Sequence, residues 1–204
     1  MKTILQVNAS ILSNEGQSTR LANDFVAQLR KDEKLIVRDL AREPIPHLDA
    51  QRFGAFLSTP ESRTQVQQTI IDSSDRLIDE LKRADIIVLG LPMYNFGVPS
   101  TLKAYFDHVA RAGVTFRYTD KGPVGLLTGK KAYVFAARGG IYRGTPRDTQ
   151  TAYVRDFLAF LGITDVEFVY AEGLAISEGS RDAALSEARS RTGNLIESEV
   201  VAFS

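Results

Sequence analysis

The chain has 204 residues, of which 44% are hydrophobic and 25% charged, a composition typical of one soluble globular domain with a substantial core. Its 25 Lys and Arg residues balance its 25 Asp and Glu residues, so the net charge does not favour a nucleic-acid partner. The absence of cysteine excludes disulfides and thiolate chemistry, and two histidines far apart in sequence argue against a transition-metal site.

Apolar runs and helical periodicity alternate along the whole chain. In chain order they predict strands at 4–7, 35–37, 85–91, 131–136 and 166–171, and helices at 17–30, 62–82, about 100–111, 149–161 and about 180–202. No apolar run approaches the length of a membrane span, and no signal-peptide pattern opens the sequence. We therefore expect a cytoplasmic protein without membrane association, forming a single domain over residues 1–204.

Several residues predict how the helices begin, pack and end. Ser100 is predicted to cap the helix that follows the third strand, and Gly162 to end the helix before the fifth strand. On the long helix, one buried face is predicted for Val66, Ile70, Leu77 and Leu81.

Two segments and the histidines fall outside this regular pattern. Prolines at 44 and 46 interrupt it, and His47 beside them is expected in a solvated loop. His108 is predicted at the surface or at a dimer interface. Residues 114–127 combine a β-rich run with a turn, which predicts an excursion off the main sheet.

Five strands with intervening helices predict an α/β fold, a flavodoxin-like doubly wound parallel sheet with strand order 2-1-3-4-5 and helices on both faces. In that order the ligand-binding crevice lies between the first and third strands. The loops at 8–18, 92–99 and 137–144 should then converge at one edge of the sheet.

Each of the three loops has a composition suited to a ligand. The first is rich in hydroxyls and amides and opens a helix, which favours an anion, although plain capping explains it equally well when it is considered alone. The second offers flat apolar walls beside an amide, suited to a planar heteroaromatic ring. In the third, Gly139 and Gly140 permit a nest-like turn for an anion.

Four stretches, at 92–96, 110–119, 138–140 and 162–166, resemble the FMN-dependent NADH:azoreductases, which are also described as NAD(P)H:quinone oxidoreductases. The similarity extends over nearly the whole chain. It implies a homodimer that binds FMN, with NADH or NADPH as electron donor and quinones and azo compounds as acceptors.

The resemblance also implies which residues form the site. The expected FMN ligands are Ser10, Gly16, Gln17 and Ser18 at the phosphate, Pro92, Met93, Tyr94, Asn95 and Phe96 along the isoalloxazine ring, and Ala137, Arg138, Gly139 and Gly140 at its pyrimidine edge. The expected substrate contacts are Tyr118, Phe160, Asn95 and Tyr142, with Tyr118 reaching from the partner subunit. Ala137 departs from the serine that the family often has there. No metal and no protein nucleophile are expected.

The implied reaction is a two-electron, ping-pong hydride transfer from NAD(P)H to quinones and to azo compounds, which are cleaved reductively to aromatic amines. The proton donor is water or Tyr118. Three alternatives stay open: a flavodoxin-type electron-transfer protein, a flavin-free regulatory or scaffold protein, and a quinone detoxification enzyme with only incidental azoreductase activity.

Overall fold

Seven strands form two separate sheets within residues 2–29 and 33–202, which the computed structural model describes. The strands are β1 (Thr3–Asn8), β2 (Lys34–Asp39), β3 (Ile86–Pro92), β4 (Phe116–Thr119), β5 (Gly122–Gly125), β6 (Lys131–Ala137) and β7 (Asp165–Ala171). Five of them form a parallel sheet in the order β2-β1-β3-β6-β7. Counted among the strands of that sheet, this is the predicted order 2-1-3-4-5, which is confirmed.

Helices cover both faces of the parallel sheet, as predicted. They are α1 (Gln17–Leu29), α2 (Ala50–Leu57), α3 (Gln65–Arg83), α4 (Ser100–Val109), α5 (Thr151–Leu161) and α6 (Glu178–Ala202). One core lies between the sheet and α3, α4 and α5, and the other between the sheet and α1 and α6. The helix predicted at 17–30 matches α1 up to Leu29, and Arg30 lies outside the described residues.

The predicted excursion at 114–127 is confirmed as the antiparallel hairpin of β4 and β5, which does not join the main sheet. It packs against the end of α5, where Gly162 has φ 100° as a left-handed cap. A Cβ on Gly125 would lie 2.0 Å from the Gly162 nitrogen, so only a glycine permits this backbone contact. The prediction that Gly162 ends α5 is therefore also confirmed.

Two predictions about helix starts are wrong. Val66 is 54% exposed because full burial on α3 begins only at Ile71, and the first turn of the helix extends past the core. Ser100 is not the cap of α4 but its first residue, since Pro99 before it has non-helical backbone angles, φ −52° and ψ 139°, and no side chain caps the helix.

The surface position predicted for His108 is also wrong, because α2 was not predicted. Asp49 caps that helix by accepting a hydrogen bond from the Arg52 N–H at 2.8 Å. Phe56 then meets the His108 ring edge-on at 5.7 Å, and His108 is only 3% exposed. Burial lowers the pKa of His108 below its ordinary value. His47 is exposed, as expected.

Candidate cofactor site

The loops after β1, β3 and β6 meet at the carboxyl edge of the sheet, as the strand order predicted. The Tyr94 hydroxyl lies 3.4 Å from Ser10 Oγ and accepts a hydrogen bond from the Ile11 N–H at 3.3 Å. The Met93 N–H donates to the Ala137 carbonyl at 3.1 Å, and the Phe96 ring meets that of Tyr142 at 5.5 Å. Residues from all three loops thus share one surface.

The loop after β1 forms a candidate anion site at the start of α1. Within the described residues, the first three N–H groups of this helix, those of Gln17, Ser18 and Thr19, donate no hydrogen bond. The hydroxyls of Ser18 and Thr19 are buried there without a partner. Unpaired donors at the positive end of a helix fit a phosphate, and buried hydroxyls rarely stay unpaired.

Gly16 allows the loop after β1 to pack closely against the Ser10 side chain. A Cβ on Gly16 would lie 2.2 Å from Ser10 Oγ, which accepts a hydrogen bond from the Leu12 N–H at 3.2 Å. Gly16 itself has φ −69° and ψ 135°, so its backbone would permit a side chain and the close approach of Ser10 does not. Two of the predicted phosphate residues, Ser10 and Gly16, therefore lie side by side because a glycine has no side chain to keep them apart.

The loop after β3 forms a tight turn whose centre is strained. Tyr94 and Gly97 exchange backbone hydrogen bonds at 3.3 and 3.0 Å. Between them, Asn95 and Phe96 have left-handed backbone angles, with φ of 49° and 62°. Consecutive left-handed residues other than glycine are uncommon and cluster at functional sites. The turn leaves the side chains of Asn95 and Phe96 exposed at the site.

Gln150 and Thr149, which the sequence did not indicate, hold this turn in place. Gln150 is fully buried, and its Nε2 donates to the carbonyls of Pro92 and Gly97, both at 2.9 Å. The Thr149 hydroxyl donates to the Phe96 carbonyl. Neither residue belongs to a local sequence motif with the turn, because both lie at the start of α5, more than fifty residues after the turn in the chain.

The loop after β6 presents the backbone N–H groups of Gly139 and Gly140, which donate no hydrogen bond within the described residues. Arg138 is completely buried beneath the loop, with its Nη2 2.8 Å from Asp148. Burial opposes ionisation of Asp148, but hydrogen bonds from Arg138 and Thr151 outweigh it and hold the pKa of Asp148 below its ordinary value. Gly139 and Gly140 have no positive φ, so the left-handed residue of a nest is not found at either glycine.

Tyr118 and Phe160 lie in a second aromatic group beside the hairpin. Phe116 joins them, with ring centroids 5.4 Å from Tyr118 and 4.2 Å from Phe160. Tyr118 is 74% exposed. Phe160 follows Gln150 by ten residues, which places it about 15 Å away along α5. Among the described residues, no ring contact joins this group to the three loops.

Several clefts among the described residues lie outside the candidate anion site. A cavity of about 450 Å³ adjoins the turn after β3 and is lined by residues that include His47, Phe96, Val98, Lys103 and Tyr153. A charged cleft of about 800 Å³ lies between β2 and α3, away from the three loops. No group of His, Asp or Glu in the described part of the chain could hold a metal, and no described helix is long and apolar enough to span a membrane.

Comparison with known proteins gives a consistent family. The profile of the flavodoxin-like fold family matches residues 2–196. The FMN-dependent NADH:quinone oxidoreductase of Cellvibrio japonicus is 51% identical over 205 residues, covering 99% of this chain and 100% of that protein. The FMN-dependent NADH:quinone oxidoreductase 6 of Burkholderia lata is 53% identical over 192 residues, covering 93% of this chain and 97% of that protein.

Solved structures agree with the sequence relatives. An azoreductase from Bacillus anthracis superposes with a TM-score of 0.88 at 26% identity, covering 96% of this chain and 99% of that one. An FMN-dependent NADH-azoreductase from the same species, in complex with FMN, has a TM-score of 0.84 at 26% identity and covers 96% of this chain and 100% of that one.

Proposed function

The chain belongs to the family of flavodoxin-like proteins, and we propose that it is an FMN-dependent NADH:quinone oxidoreductase with one FMN-binding domain over residues 1–204. The observation that carries the proposal is the buried, unpartnered Ser18 hydroxyl beside free N–H groups at the start of α1. An anion with several acceptor oxygens would satisfy these donors at once. The relatives named as FMN-dependent enzymes support a flavin phosphate as that anion.

The three loops would divide the work of holding FMN. The start of α1, with Ser10 and Ser18, would bind the phosphate. The strained turn with Asn95 and Phe96 would line the isoalloxazine ring, and the free N–H groups after β6 would face its polar edge. FMN supplies the hydride chemistry when it is bound. The protein orients the reactants and keeps water away from flat aromatic surfaces.

We further propose ping-pong kinetics, in which NADH or NADPH leaves before the acceptor binds. The exposed Phe96 and the half-buried Tyr142 meet edge to face at the turn and would form one aromatic surface for both reactants. Such a surface suits flat acceptors in general, so quinones and azo compounds are both proposed substrates. A cytoplasmic location remains part of this proposal.

The active enzyme is proposed to be a homodimer. Phe160 lies about 15 Å along α5 from Gln150, which contacts the turn, and Tyr118 projects from the hairpin with most of its ring exposed. A second copy of the chain would bring its Tyr118 to the flavin, since no ring contact among the described residues of one chain joins Tyr118 to the three loops. This arrangement accounts for an exposed tyrosine on an excursion from the sheet.

The test is a visible spectrum of the purified protein with FMN, then with NADH under nitrogen, then with a quinone. Flavin bands that bleach with NADH and return with quinone are the expected result. Protein that does not retain FMN would refute the proposal and favour a flavin-free scaffold. Retained FMN that neither NADH nor NADPH bleaches would favour the electron-carrier alternative.

A further inference from the structure

Beneath the loop after β6 lies a buried ion group that the proposed chemistry does not use. The Arg138 guanidinium is fully buried between two carboxylates, with Nη2 2.8 Å from Asp148 and Nη1 3.0 Å from Glu172. Its central carbon also lies 5.1 Å from the centre of the Tyr170 ring. Burying three charges costs desolvation energy that a plain apolar cluster would not incur. Each carboxylate also has partners other than the arginine.

The two carboxylates have different second partners. Asp148 accepts hydrogen bonds from the backbone and hydroxyl of Thr151, at 3.1 and 2.7 Å, and so acts at the start of α5. Glu172 accepts the N–H groups of Tyr142 and Arg143 at its Oε1, at 2.9 and 3.0 Å. Glu172 thus holds the loop itself, and Asp148 does not.

The same segment also pairs the carbonyls of the loop. The carbonyls of Arg138, Gly139 and Gly140 accept the N–H groups of residues 174, 175 and 173 at 3.0–3.1 Å. The N–H groups of Gly139, Gly140 and Ile141 donate no hydrogen bond within the described residues. The loop is therefore bound along one side, and three successive donors remain available on it.

We propose that Glu172 is a positioning residue for the cofactor. By binding the N–H groups of Tyr142 and Arg143, it fixes the direction of the free N–H groups just before them, which would donate to the polar ring edge of FMN. This inference rests on the proposed function. Arg138 pairs with the Glu172 carboxylate at 3.0 Å and holds it in place.

Two substitutions at Glu172 separate this role from that of a simple ion pair. Glu172→Gln retains the oxygen that accepts both N–H groups but removes the charge beside Arg138. Glu172→Asp retains the charge but withdraws the carboxylate from the loop by one methylene. Asp148→Asn is the matched control, since it removes one charge from the same guanidinium without touching residues 139–143.

The three variants and the wild-type protein are compared, as full chains, by FMN titration, amide hydrogen exchange over residues 139–143 and urea unfolding. For Glu172→Asp we expect FMN affinity to fall about 10-fold and exchange of the Tyr142 and Arg143 amides to rise about as much, the scale of one lost hydrogen bond. Glu172→Gln and Asp148→Asn should stay within about 3-fold of wild type in both measurements.

The reverse order, with Glu172→Gln impaired and Glu172→Asp close to wild type, would show an ion pair that only stabilises the fold and would overturn the proposal. So would an equal loss of FMN affinity in Asp148→Asn, or unchanged exchange in Glu172→Asp. If the wild-type protein did not bind FMN, the proposed function would fail. The exchange comparison would then still decide whether Glu172 positions the loop.

Discussion

Replacing Gln150 with methionine should remove the buried amide that holds both ends of the strained turn. The Gln150 amide donates to the carbonyls of Pro92 and Gly97, which flank the turn, and it is fully buried. Methionine has a similar volume, so the change removes hydrogen bonds without a large cavity. Loss of both bonds leaves the buried Pro92 carbonyl without this partner, whereas the Gly97 carbonyl keeps the Tyr94 N–H, so the change should cost about 1–3 kcal/mol of unfolding free energy.

The same substitution should weaken FMN binding more than its stability loss alone implies. Asn95 and Phe96 have φ of 49° and 62°, a conformation that costs about 1–2 kcal/mol per residue unless its surroundings hold it. Without the Gln150 amide the turn can relax to ordinary backbone angles, and bound FMN would have to restore the strained ones. We expect FMN affinity to fall by about 10-fold or more.

Urea unfolding of the apoprotein and quenching of FMN fluorescence measure the two effects separately. Ser74→Ala is the control, because Ser74 also donates to a buried carbonyl, that of His108 at 2.6 Å, but at the end of α4 remote from the turn. It should lower stability by about 1–3 kcal/mol and leave FMN affinity unchanged. Gln150→Met protein that loses stability yet binds FMN as tightly as wild type would refute the reasoning.

Three further outcomes are expected. Gly16→Ala would place a Cβ 2.2 Å from Ser10 Oγ, so FMN affinity should fall about 10-fold, whereas the affinity for riboflavin, which lacks the phosphate, should hardly change in the same titration. An equal loss of affinity for both ligands would argue against a phosphate site. Burial depresses the pKa of His108 in the folded state, so unfolding takes up a proton below the unfolded pKa of about 6.5, and the unfolding free energy falls as pH drops through that value towards the folded pKa. His108→Gln should flatten this pH dependence of stability in urea titrations, and an unchanged pH dependence would contradict the assignment. Tyr118→Ala should change the unfolding free energy by less than about 0.5 kcal/mol because the Tyr118 side chain is 74% exposed. It should nevertheless raise the KM for quinone and leave FMN affinity intact, and an unchanged KM would show that Tyr118 is not part of the acceptor site.

The alternation of strands and helices was predictable from sequence because each element is specified by neighbours a few residues apart. The five core strands and the end of α5 at Gly162 follow from local periodicity and turn chemistry, and the order of the sheet follows from the common topology of five-stranded doubly wound folds. The three loops were predictable for a related reason: once strand order is known, loops at the same edge of a parallel sheet must meet.

The side chains that hold those loops in place could not be predicted from sequence, because their contacts depend on tertiary structure. Gln150 reaches the turn after β3, Arg138 turns beneath its own loop, and Glu172 holds that loop by its N–H groups. Each contact joins segments about 30–60 residues apart, and no local pattern specifies such a partner. His108 is buried for the same reason, because the packing of α2 covers it. The sequence by itself therefore determined which elements and loops form the candidate site. Only the folded chain decided which buried side chains hold that site in shape, because their burial and their partners arise when distant elements pack.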